Sequence, residues 1–161
     1  MRRIIIAVLL TLTFALASSS TEAHLRGWGP RFGMTVDPDQ VHLGAHLDLG
    51  YLVSRLRMQP NFEMGLGDNA TLASVNFETA YMFSMSRDRW RPYAGGGLGI
   101  NWYSWDHGSR FGTHTDARAG LSALGGIERH LGQNTRFFAE MKLGLIDAPD
   151  MKWTVGWTFQ Y

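Results

Sequence analysis

The sequence predicts an all-β fold, an eight-stranded antiparallel up-and-down transmembrane β-barrel, and three observations carry that prediction. Beyond residue 26 the chain falls into eight segments in which apolar and polar residues alternate. A period of two is the mark of strands with one apolar and one polar face. No later stretch approaches the roughly 18 consecutive apolar residues of a spanning helix. There is also no cysteine, so an exported fold must close through hydrogen bonds and packing.

The N-terminus is read first. Arg2 and Arg3 precede the apolar run IIIAVLLTLTFALA and the small, polar SSSTEA, with Thr21 and Ala23 spaced as a cleavage box. This is the pattern of a secretory leader, residues 1–23, removed after Ala23. Cleavage after Ala17 and retention as an anchor are the alternatives. Residues 24–161 then form one barrel domain. Loss of Arg2, Arg3 and Glu22 leaves that domain formally neutral. It has no basic stripe for nucleic acid.

The first segment, near 27–36, sets Trp28, Pro30, Phe32, Met34 and Val36 on one face, and DPDQ turns the chain. The second, near 40–52, alternates Val41, Leu43, Ala45, Leu47, Leu49 and Tyr51 with His42, Gly44, His46, Asp48 and Gly50. The third, near 55–66, and the fourth, near 71–83, continue the pattern around GDN. SMSRDR leads to the fifth, near 90–103, and SWDHGSRFGTH is the longest connection. The sixth runs near 114–128. The seventh alternates Arg136, Phe138, Glu140, Lys142 and Gly144 with Phe137, Ala139, Met141, Leu143 and Leu145. The eighth is WTVGWTFQY. Pro30, Pro60 and Pro92 donate nothing to a ladder and are expected at strand ends or bulges.

Alternation alone does not say which face points inward, and a soluble barrel would fill its interior with the apolar face. Two features favour the reverse. The polar face mixes charges of both signs with many glycines, which suits a narrow lumen. The aromatics gather into two girdles, with Trp28, Tyr51, Tyr81, Phe83, Trp90, Phe137, Phe159 and Tyr161 near the end holding both termini, and Trp102 and Trp153 near the other. Such girdles mark membrane interfaces.

Three stretches resemble a known family. The terminal TVGWTFQY, with Gly156, Phe159 and the final aromatic Tyr161, is similar to the C-terminal signal read by the outer-membrane insertion machinery, whose usual last residue is Phe. WRPYAGGGLGINWY resembles the central strand of the small OmpA/OmpX-type "porin family" barrels. GGIERHLGQNTRFFAEMKLGL resembles their strand–turn–strand, with Ala139 and Glu140 after the turn. The resemblance implies a monomeric bacterial outer-membrane barrel whose partners are outer-membrane lipid, the insertion machinery and periplasmic chaperones. It implies no cofactor. The peptidoglycan-binding domain of larger relatives is not expected here.

The lumen charges are the main candidate site. The predicted network is Asp48, Arg57, Glu63, Glu78, Arg91, Asp116, Arg118, Glu128, Arg136, Glu140 and Lys142, with Arg31, Arg55 and Lys152 as further inward cations. Buried charges must pair, so a salt-bridged plug is expected, with a thin gated channel as the alternative. GGGLG at 95–99 lacks the helix and Lys-Ser/Thr of a phosphate loop and is read as making room. His42 and His46, four strand residues apart, stand about 13 Å from each other and cannot share one metal ion. Asp106, His107, His114 and Asp116 are read as a solvated loop rather than a cation site. Small barrels that modify lipid A need a His with a Ser partner; here only His107, Ser109 and His114 offer one, so no enzyme is expected. The reading is a structural or surface-interactive barrel acting through the 103–114 loop.

Overall fold

A computed structural model describes residues 24–67, 70–85, 89–106 and 113–161; the leader lies outside them. Nine strand segments form one closed antiparallel sheet: β1 (Gly27–Val36), β2 (Gln40–Asp48), β3 (Tyr51–Val53), β4 (Leu56–Leu66), β5 (Ala70–Met82), β6 (Trp90–Asp106), β7 (Thr113–His130), β8 (Thr135–Ile146) and β9 (Met151–Gln160). Apart from β2 and β3, chain neighbours pair with each other, β1 pairs with β9, and β2 pairs with β4 to close the ring. The barrel therefore has eight staves, because β2 and β3 are one stave broken at Leu49 and Gly50.

That break corrects the single second segment read near 40–52. Gly50 takes φ 78°, and the Asp48 carboxylate accepts a 2.9 Å bond from its backbone N–H. Positive φ is open to glycine at no steric cost, so the alternation is reset there and β3 continues along β4 alone. Pro30 and Pro60 are also placed differently from expectation, inside strands rather than at their ends. The β1–β9 ladder skips Gly29 and Pro30, and the β2–β4 ladder stops at His46 opposite Asn61, one residue short of Pro60. Proline thus sits where the pairing already lapses.

The outer surface is apolar along the staves: Phe32, Leu43, Phe62, Phe77, Ile100 and Trp153 are all exposed. The interior is polar. Its buried side chains include Arg31, His42, His46, Glu63, Ser74, Glu128 and Thr158. A small apolar group, Ala80, Met82, Tyr93 and Leu124 with Tyr51 against it, lines the lumen near the end that holds the termini.

Glycines explain how large polar groups fit inside so few strands. Arg31 lies between Gly44 on β2 and Gly156 on β9. Glu63 faces the same Gly44, Glu78 faces Gly97, and Glu140 and Tyr93 flank Gly126. A Cβ at Gly97 would meet the Glu78 Cγ at 2.7 Å. These five bulky lumen residues therefore each lie across a neighbour that has no side chain, which is what the GGGLG reading anticipated.

Candidate functional site: the charged lumen

The parity of each strand fixes which side chains point inward, and closure of the ring brings distant strands together. At the centre, the fully buried Arg31 reaches three carboxylates. Its Nε is 2.9 Å from Glu63 Oε1, its Nη2 donates at 2.9 Å to Glu140 Oε1, and its Nη1 at 3.4 Å to Glu78 Oε2. Lys152 Nζ donates to Glu63 at 2.7 Å, and Lys142 Nζ pairs closely with Glu78 and lies 3.8 Å from Glu63. Three cations thus face three carboxylates. The Phe138 ring closes the remaining side, 5.8 Å from the Arg31 guanidinium carbon.

A second cluster lies toward the terminal end. Arg57 Nη1 donates to Glu128 Oε2 at 2.5 Å, Arg136 Nε is 3.2 Å from the same oxygen, and Arg136 Nη2 donates to Asp48 at 2.5 Å. Tyr93 joins the two clusters. Its hydroxyl donates to Glu140 Oε2 at 3.1 Å while the Arg57 guanidinium lies over its ring at 5.5 Å. The two clusters are each balanced in charge, so the low-dielectric interior carries its ions as pairs.

Some expected members lie elsewhere. Asp116 and Arg118 bond to each other at 2.8 Å but are exposed at the outer rim, where the Arg118 guanidinium covers Tyr103. The cause is strand length. β7 pairs with β8 only as far as Leu121 opposite Ile146, so residues 116–118 have no facing wall. Arg91, 46% exposed at the other mouth, makes only a 3.9 Å approach to Glu128. Arg55 sits in the turn before β4 with φ 69°, exposed, and joins no lumen pair among the described residues.

Tyr93, Phe138 and three threonines contact the buried polar groups of the lumen, although sequence reasoning had left them outside the predicted charge network. His42 bonds Thr35 through Nδ1 and Thr154 through Nε2, both at 3.0 Å, while His46 Nε2 bonds Thr158 at 2.9 Å. The two imidazoles are held by different partners. Among the described residues no three His, Cys, Asp or Glu side chains are grouped as a metal site. The signal for Tyr93 and Phe138 was present: each occupies the polar phase of its strand. Loop candidates His107 and Ser109, and the side chains of Asp106 and His114, lie outside the described residues.

The outer mouth is covered by the turn between β8 and β9. Asn101 Nδ2 donates to the Asp147 carbonyl at 3.1 Å, and Pro149 is buried over the lumen. The space left beneath it, beside Lys142 and Lys152, is about 10 Å³, room for about one water molecule. The predicted long loop is shorter than expected, since β6 and β7 stay paired to Asp106 and Thr113 and project as a hairpin.

In the terminal strand, Phe159 and Tyr161 are exposed, and Phe159 packs on Trp28 at 5.9 Å. Gly156 faces the lumen, where an added Cβ would lie 2.6 Å from the Phe138 ring and from the Pro30 carbonyl. Gly156→Val is therefore expected to lower stability by about 1–3 kcal/mol through overpacking. The urea midpoint of the refolded protein, compared with that of Gly97→Val, measures it.

No protein-family model and no curated protein sequence matches the chain. Solved structures do. Neisserial surface protein A (NspA) superposes with a TM-score of 0.66 at 14% identity, over 84% of this chain and 95% of that one. The N-terminal β-barrel domain of Pseudomonas aeruginosa OprF gives 0.65 at 13%, over 85% and 98%. Ail, the attachment invasion locus protein of Yersinia pestis, in complex with the heparin analogue sucrose octasulfate, gives 0.50 at 13%, over 84% and 94%. The likeness is one of fold: this chain has the closed eight-stranded architecture of outer-membrane β-barrels.

Proposed function

We propose that this protein is a small outer-membrane barrel, exported by its cleaved leader, with a structural or surface-interaction role and a lumen plugged by paired charges. The observation that carries the reading is the inverted polarity of the barrel. Leu43 is 67% exposed and Arg31 is 0% exposed, the arrangement that lipid outside and ion pairs inside require. The plug follows from the balanced clusters and the covered outer mouth, which support a closed rod over a conducting path. Contact with the surroundings falls to the β6–β7 hairpin, the longest projection among the described strands. The reading includes no catalytic step.

Heat-dependent gel mobility with cell fractionation tests it. The unboiled protein is expected to migrate apart from the boiled form and to fractionate with the outer membrane. In planar bilayers it is expected to give no steady conductance. A single mobility with soluble recovery would remove the membrane reading, and a stable open current would replace the plug with a channel.

A further inference from the structure

The charges that the lumen does not use are segregated by end. At the terminal end Arg26, Arg55, Arg89 and Arg91 are exposed and Arg129 is half-buried, with no exposed Asp or Glu side chain among the described residues there. At the opposite end Asp37, Asp39, Asp147 and Asp150 are exposed, and Asp116 is partly so beside Arg118. Among the described residues that rim is cationic and has no facing Asp or Glu, which suits an anionic partner at that height.

Two of these arginines are stacked on aromatic rings, and one of those rings, Trp90, belongs to the outward girdle. Arg129 lies opposite Trp90 on β6 and Phe137 on β8, two rings whose centroids are 6.2 Å apart. Its guanidinium carbon is 5.8 Å from the centre of the Trp90 ring. It points outward, in the opposite phase to the buried Glu128. Its Nε is shielded from water and has no hydrogen-bond partner, and no carboxylate pairs with it among the described residues. Arg26, exposed at the same rim, also lies over a ring, Tyr51 at 5.8 Å, although that ring packs against the lumen group at the mouth. A planar guanidinium stacked on an aromatic face presents a rigid fork of N–H donors that matches a phosphate. At the edge of an apolar belt, the phosphate within reach is that of a lipid head group, and the attraction of anionic lipid amounts to about fivefold per arginine.

We propose that the terminal rim binds anionic phospholipid head groups, with Arg129 on Trp90 as the principal phosphate site and Arg26 on Tyr51 as the second. The proposal rests on the membrane reading above.

The test is native mass spectrometry of the full chain released from nanodiscs containing equal phosphatidylglycerol and phosphatidylcholine. The wild type is expected to retain phosphatidylglycerol preferentially, Arg129→Gln to lose about fivefold of that retention, and Arg118→Gln at the opposite end to lose none. Arg26→Gln gives an independent reading should Arg129→Gln not refold. Equal retention of both lipids by folded wild type, or unchanged retention in Arg129→Gln and Arg26→Gln, would overturn the proposal. Competition with free inorganic phosphate separates the sources: displacement of the lipid marks a general phosphate site and overturns the head-group assignment, while no displacement supports it. A wild type lacking the heat-dependent mobility shift would instead remove the membrane reading, so the two failures are told apart.

Discussion

Arg31→Met is expected to destabilise the barrel by about 3–5 kcal/mol, the usual cost of removing one partner from a buried ionic group. The guanidinium is shared among Glu63, Glu78 and Glu140, and without it three carboxylates remain against Lys142 and Lys152. Lys152 is committed to Glu63 and Lys142 to Glu78, so Glu140 is left with the Tyr93 hydroxyl as its donor. The double change Arg31→Met with Glu140→Gln restores the balance and is expected to recover a large part of the loss. Urea unfolding in lipid vesicles measures both. If the double variant is no better than the single, the cost lies in lost packing against Phe138 and the glycines rather than in unpaired charge. The cycle separates the two because Arg31 and Glu140 touch directly.

Leu43→Arg is expected to cost about 2–4 kcal/mol in a bilayer, because it places a cation on the lipid face midway along β2. In water the same change on so exposed a side chain would move stability by no more than about 0.5 kcal/mol. The substitution therefore reports the solvent of the outer face, independently of location in the cell. Leu43 lies between Phe32 and Met64 on the neighbouring staves, all on the apolar face, with no carboxylate beside it to pair with the new charge. Unfolding in vesicles, measured against the wild type, gives the value; a near-zero change would mean that the belt faces water.

Much of this was legible in the chain. Alternation assigned inward and outward phase to most strand residues, because successive side chains on a pleated strand point to opposite faces. Thus Arg31, Glu63, Glu78, Glu140 and Lys142 were placed on the inner face from position alone, and Phe32, Leu43 and Ile100 on the outer. The broken second stave was harder to see. Asp48–Leu49–Gly50 keeps an acceptable alternation on paper, and only the positive φ at Gly50 together with the Asp48 bond reveals where the strand is interrupted.

Depth and partnership were decided by the tertiary structure. Asp116, Arg118 and Arg91 have the inward phase of the buried charges, yet they are exposed because one of the two neighbouring staves ends before reaching each of them; phase gives direction, while burial needs walls on both sides. The choice of partner was likewise beyond the sequence. Arg31 and Glu140 are separated by 109 positions, and they meet because the ring closes through β1 and β9 with a register that sets Gly156 beside Arg31 and beneath Phe138. The sequence by itself determined that this chain would build strands with one polar and one apolar face. Closure of those strands at fixed register decided which charges neutralise one another, because ion pairing falls off within a few ångströms and only the barrel's geometry sets distances on that scale.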